Sequence, residues 1–177
     1  MSEGTELPVE ETTDVRTGPE VAPSLLSVLP LLGEWHGEGQ AAGAGADHRF
    51  GQWVRFAHDG RDFLSYESRT WRLTDDGAIV GPDTRESGFL RPRGNDDVEL
   101  LVTSPDGLLE LYAGRARTTT SWELTTDVLA RTADGPDVVR AVRLYGIVDG
   151  ALLYAIDRAG SDQELSPTMS ARLERIR

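Results

Sequence analysis

The sequence predicts an all-β fold, a ten-stranded antiparallel up-and-down β-barrel with a short N-terminal helix or turn. Three observations predict it. The heptapeptide Gly33-Glu34-Trp35-His36-Gly37-Glu38-Gly39 follows an apolar stretch, Leu25 to Leu32. Alternate residues of a strand share a face, so Gly33, Trp35, Gly37 and Gly39 line one side and Glu34, His36 and Glu38 the other. Glycines let that side bend and let another backbone approach, while the tryptophan can plug a barrel end. Next comes a rhythm of turn chemistry: His58-Asp59-Gly60, Asp75-Asp76-Gly77, Gly94-Asn95-Asp96, Pro105-Asp106-Gly107, Asp134-Gly135-Pro136, Asp149-Gly150 and Gly160-Ser161-Asp162. Finally, the segments between these turns are rich in β-branched, aromatic and leucine residues and too short for long helices.

In chain order, residues 1–23 are acidic, contain prolines and have few large apolar groups, so they are expected to form a disordered or loosely docked tail. Residues 24–177 form the barrel domain. Leu25, Leu26, Val28, Leu29, Leu31 and Leu32 suit a short helix or turn that lids it, capped by Ser24. After the motif strand, strands are expected at His48–Ala57, Phe63–Leu73, Ser87–Arg93, Val98–Ser104, Leu108–Arg117, Ser121–Arg131, Val138–Val148, Ala151–Arg158 and Leu165–Arg175. The small residues Ala41 to Ala46 read as a flexible first hairpin loop. A sandwich would give a similar rhythm; closure into a barrel removes the exposed edges.

Composition narrows the chemistry. The chain has 177 residues, a length for one sizeable core. Its 18 basic residues face 30 acidic ones, a formal net charge of -12, so neither nucleic acid nor an anionic membrane is an expected partner. Every basic residue is arginine. Without lysine there is no Walker A lysine and no Schiff base, and without cysteine there is no disulfide, thiolate metal site or thiol nucleophile. The acidic amino end does not read as a signal peptide and no apolar stretch approaches a bilayer span, so a cytoplasmic location is expected.

The motif, with Leu-Leu before it, resembles the Gly-x-Trp-x-Gly-x-Gly opening of the nitrobindins, haem-binding relatives of the fatty-acid-binding-protein barrels in the calycin superfamily. The segments Tyr66-Glu67-Ser68-Arg69-Thr70-Trp71 and Glu86-Ser87-Gly88-Phe89-Leu90-Arg91 and the closing run Leu165 to Arg175 are similar too. The resemblance spans the chain from about Leu25 to its end. It implies a proximal haem ligand on the closing strand, in a Pro-His-Leu-Ser-Ala type sequence, and a family chemistry of nitric oxide handling or isomerisation of peroxynitrite to nitrate. Here the histidine's position holds Thr168. A threonine hydroxyl is a poor iron ligand compared with neutral imidazole. Strand alternation aims the neighbouring Met169 away from Thr168, yet the apolar pattern makes Leu165, Met169 and Leu173 the inward set; a bulge near Pro167 or a polar-lined cavity reconciles the two.

No other residue replaces the ligand. His36 lies opposite Trp35, His48 beside Asp47 and Arg49 reads as a rim residue, and His58 in its turn reads as solvent-facing. No two-histidine metal motif and no Gly-x-Ser-x-Gly elbow is present. Arg172 or Arg175 is expected to pack over Trp35 as a cation on its ring. Arg69 and Arg91 are expected to point inward near Tyr66 and Glu86, and the carboxylates Glu67, Glu86, Glu110 and Glu123 to pair at the surface or rim. The expected function is therefore that of a binding module without cofactor: a nitrobindin-like barrel that has lost iron ligation and takes a small apolar or amphipathic ligand, its lining drawn from Tyr66, Arg69, Trp71, Phe89, Tyr112, Tyr145, Tyr154 and Thr168. The alternative is a ferric haem b protein with peroxynitrite isomerase-like activity. A third reading is a scaffold whose acidic tail recruits a basic partner.

Overall fold

A computed structural model describes residues 10–42 and 47–176. Residues 1–9 of the acidic tail and residues 43–46 of the first hairpin loop lie outside the described residues. Two 3₁₀ turns, Pro23–Ser27 and Leu29–Leu31, precede ten strands: β1 (Gly33–Ala41), β2 (His48–Ala57), β3 (Leu64–Leu73), β4 (Ile79–Pro92), β5 (Asp97–Ser104), β6 (Leu108–Thr118), β7 (Ser121–Arg131), β8 (Arg140–Val148), β9 (Ala151–Gly160) and β10 (Gln163–Arg175). Each strand pairs antiparallel with its chain neighbour, and β1 pairs with β10 to close the barrel. No described helix is long and apolar enough to cross a membrane.

The motif accounts for the closure. Trp35 is fully buried, and its register partners are Val54 on β2 and Arg175 on β10. A Cβ on Gly37 would lie 2.2 Å from the Arg172 carbonyl oxygen, and one on Gly39 would lie 2.3 Å from that of Ser170 and 2.4 Å from the Phe50 ring. Only glycine lets β10 cross β1 this closely. On the outer face Glu38 pairs with Arg49 at 2.6 Å and His36 stacks on Trp71 with ring centroids 5.6 Å apart.

One end of the barrel is sealed. The 3₁₀ turns bring Leu25, Val28 and Leu31 into the core, where all three are fully buried. Their backbone carbonyls are used as acceptors: Trp35 Nε1 donates to Leu31 O at 2.9 Å, Trp122 Nε1 to Ser27 O at 3.0 Å, and Arg175 Nη2 to Pro30 O at 2.8 Å. Arg175 also donates to Leu32 O and lies 4.0 Å from the Trp35 ring centroid, so it, and not the outward Arg172, is the cation on the tryptophan. Residues 10–22 come back against this end. Thr12 and His58 exchange backbone hydrogen bonds at 2.9 and 3.0 Å, and Glu11 pairs with Arg55 at 2.7 Å.

Two expectations change here. His58 is completely buried, not solvent-facing, because the bridge to Thr12 covers it. Burial lowers its pKa despite the nearby Asp59, and its Nε2 has no partner among the described residues. Strand β4 begins at Ile79 and not near Ser87. Its first half pairs only with β3, since the β4 to β5 ladder runs from Ser87 to Pro92. With one edge free, Pro82 sits opposite Trp71 beside a register shift, the kind of place where a strand tolerates proline.

Candidate functional site

The other end of the barrel is open. A cavity of about 330 Å³ lies in its mouth, lined by the apolar Ala41, Ala42, Ile156 and Met169, by the polar His48, Asp83, Glu86, Asp106 and Arg158, and by Thr168. Its shape comes from an irregular closing strand. Pro167 pairs with Asp157 and Met169 with Ile156, so Thr168 is the extra residue of a β-bulge. The bulge turns two successive side chains, Thr168 and Met169, toward one cavity, which alternation forbids in a regular strand. Thr168 Oγ1 donates to Ile156 O at 2.8 Å, and its own carbonyl accepts from Ala42 N at 2.8 Å. Across the mouth His48 Nε2 and Asp83 Oδ2 are 3.1 Å apart, and Arg72 Nε donates to Asp83 Oδ1 at 3.2 Å. Burial pushes the Asp83 carboxyl up, but these partners outweigh it and its pKa is lowered.

The floor of the cavity is a buried ionic layer. Arg143, fully buried, donates from Nη2 to Glu86 Oε1 at 2.7 Å, from Nη1 to Glu86 Oε2 at 2.9 Å, and from Nη2 to Glu110 Oε2 at 3.2 Å. Arg158 Nη2 holds Glu110 at 3.0 and 3.2 Å. The phenols of Tyr66 and Tyr112 donate to Glu86 and Glu110 at 2.7 and 2.8 Å, and the Arg143 guanidinium lies 4.8 Å from the Tyr112 ring centroid. Two carboxylates face two guanidinium groups, so the layer carries no net charge, and this pairing lets the charges remain buried. Burial raises the Glu86 pKa, yet the charge and hydrogen bonds of Arg143, helped by Arg158 and Tyr66, bring it down to about 2. Burial raises the pKa of Tyr66, Tyr112, Tyr145 and Tyr154, which keeps all four phenols protonated. Below this layer Tyr154 Oη donates to Gln52 Oε1 at 2.8 Å and Gln52 Nε2 to Ser68 Oγ at 2.9 Å. The inner void beside them measures about 20 Å³, room for about one water molecule.

The sequence-derived residues divide between the two faces of the wall. Tyr66, Tyr112, Tyr145 and Tyr154 are inside the barrel, and Thr168 is at its mouth. Arg69, Trp71 and Phe89 are outside it. Arg69 lies over the outer ring of Trp53 at 5.4 Å, Trp71 stacks on His36, and Phe89 packs edge-on against Phe63 with half of its surface exposed. Arg91 likewise faces outward, 3.7 Å from Glu99. The reason is register: Arg69 opposes Arg85, whereas the inward positions of β3 are Tyr66, Ser68 and Thr70. Glu67 and Glu123 pair at the surface with Arg85 and Arg117, but Glu86 and Glu110 do not; they are the interior carboxylates. Arg143 and Arg158 were missed. Their signal was phase: Ala141, Arg143 and Tyr145 alternate together on β8, as do Tyr154, Ile156 and Arg158 on β9.

The family model described as "THAP4-like, heme-binding beta-barrel domain" matches residues 24–175. A protein of Saccharopolyspora erythraea named "Ferric nitrobindin-like protein" is 46% identical over 171 residues, covering 95% of this chain and 81% of that one. "Peroxynitrite isomerase 2" of Mycobacterium tuberculosis is 46% identical over 180 residues, covering 97% and 80%. The crystal structure of Rv2717c from M. tuberculosis superposes with a TM-score of 0.80 at 30% identity, covering 89% of this chain and all of that one. The match spans every strand, from the turns that seal one end to the bulged strand that shapes the other, and the chain belongs to the nitrobindin-like family of THAP4-like, heme-binding β-barrel domains.

Proposed function

We propose that this barrel binds a small apolar or amphipathic molecule in its mouth and does not hold haem through an iron ligand on the closing strand. One observation carries the reading: at the position where the nitrobindin resemblance puts the proximal histidine, Thr168 presents a hydroxyl that is already committed to the Ile156 carbonyl at 2.8 Å. Freeing it would break that bond, and an alcohol oxygen would have to lose its proton to compete as an iron donor. The histidines do not fill the place. His36 stacks outside the barrel, His58 is buried beside Thr12 far from the mouth, and His48 has its Nε2 against Asp83. The donor set at the mouth therefore does not fit haem iron. What remains is a partly enclosed cavity with one apolar wall, at the lower end of the volumes of small-molecule sites.

The second reading, ferric haem with chemistry on peroxynitrite, draws on the names of relatives at 46% identity and on the presence of His48 and Met169 in the cavity wall. Titration of the purified protein with ferric haem, followed by visible absorption, separates the two. The expected result is no saturable Soret shift in the parent and a stoichiometric one in Thr168→His. Stoichiometric saturation in the parent would overturn the leading reading and favour His48 or Met169 as the donor.

A further inference from the structure

The mouth cavity spends its acceptors and its donors unequally. Glu86 accepts from both Nη atoms of Arg143 and from Tyr66, Asp83 accepts from Arg72 and is paired with His48, and Asp106 accepts from Ser104. Arg85, at the rim, is turned to Glu67 at 3.2 Å on the outer face. Arg158 is different. It gives Nη2 to Glu110, its Nη1 and its buried Nε have no acceptor among the described residues, and 27% of its side chain remains exposed in the cavity. Beside it in the cavity lining are Ile156, two residues earlier on β9, and Met169, Ala41 and Ala42 from the neighbouring strands β10 and β1.

Building on the ligand-binding reading above, we infer that the cavity selects small amphipathic anions, with a carboxylate or similar oxyanion accepting from Arg158 Nη1, the donor that neither burial nor Glu110 takes up, and a short apolar body lying on the Ala41, Ala42, Ile156 and Met169 wall. A guanidinium can serve two carboxylates from different edges at once, so Arg158 keeps Glu110 while it takes the guest. Of the cavity's own carboxylates Asp83 and Glu86 are already paired with arginines, while Asp106 accepts from the neutral Ser104 hydroxyl and is the group an ammonium guest would seek. With a net charge of -12 the chain offers no long-range attraction to an anion, so selection arises at contact. The volume limits the apolar body to a short one.

Isothermal titration at pH 7 with octanoate, octanol and octylammonium tests this on the whole chain. Octanoate is expected to bind at least about tenfold more tightly than either of the others, as one charge-assisted contact in a partly dry site would give. Removing Arg158 alone leaves Glu110 short of a cation, so Arg158→Gln is paired with Glu110→Gln to keep the layer neutral. In that double variant the octanoate advantage should vanish while octanol binding is unchanged. Equal binding of all three probes by the parent, or a preference for octylammonium, would overturn the anion inference and leave the ligand-binding reading standing. Binding of none would remove the ligand-binding reading, and this inference with it. An octanoate preference that survives in the double variant would overturn the role of Arg158.

Discussion

The two ends of the barrel solve opposite problems with the same strands. At the sealed end Trp35, Trp122, Leu25, Val28 and Leu31 are packed dry, and each indole N–H is matched to a backbone carbonyl of the turns that cover it. At the open end the register slips between Pro167 and Met169 and again between Arg69 and Trp71, and polar side chains meet across a cavity. The difference teaches where the fold stores stability and where it leaves room for function. Apolar burial and matched donors hold one end, while the irregular pairing at the other widens the sheet and leaves the first half of β4 with one edge free.

Breaking the sealed end should have the largest effect. Trp35→Ala removes a fully buried ring and the partner of Arg175, and is expected to cost about 3–5 kcal/mol in denaturant unfolding. A loss below about 1 kcal/mol would mean that the plug does not hold the barrel together.

The ionic layer between the ends sets the next effect. Glu86 has a folded-state pKa of about 2 against an ordinary value of 4.5, so its pairing stabilises the fold above pH 4.5 and that contribution is lost as the pH falls toward 2. The contribution is roughly 3 kcal/mol at neutral pH. Urea unfolding at stepped pH should show the loss in the parent and a flatter profile in Glu86→Gln. Equal slopes would place the acid sensitivity elsewhere.

Arg175→Gln sharpens the comparison at smaller scale. It removes the cation over Trp35 and should cost about 0.5–2 kcal/mol without altering any ligand bound at the mouth. A change in mouth binding with unchanged stability would show that the two ends are coupled through β10.

Much of this was legible in the sequence. The Asp-Gly turns and the glycine and tryptophan motif mark strand order and closure because turn chemistry and period-two alternation are local properties. The interior charges were harder. Glu86 directly follows Arg85 on β4 and Glu110 lies between leucines, and partners for a buried carboxylate come from strands distant in sequence, Arg143 from β8 and Arg158 from β9. His58 misled for a similar reason: a His-Asp-Gly turn reads as exposed until Thr12, far along the chain, covers it. The bulge at Thr168 was foreshadowed by the conflict between apolar pattern and family alignment, a case in which disagreement between two readings located the irregularity.

The neutral layer of Glu86, Glu110, Arg143 and Arg158 also acts as a ruler. The inner void beside it, which Glu86 and Tyr154 help to line, measures about 20 Å³, so a guest of the kind proposed above would stop well short of Trp35. On the ligand-binding proposal, longer chains would gain nothing by pushing deeper and would leave their excess in water. The barrel would then grade its guests by length, in a channel whose depth is fixed by four side chains rather than by the height of the wall.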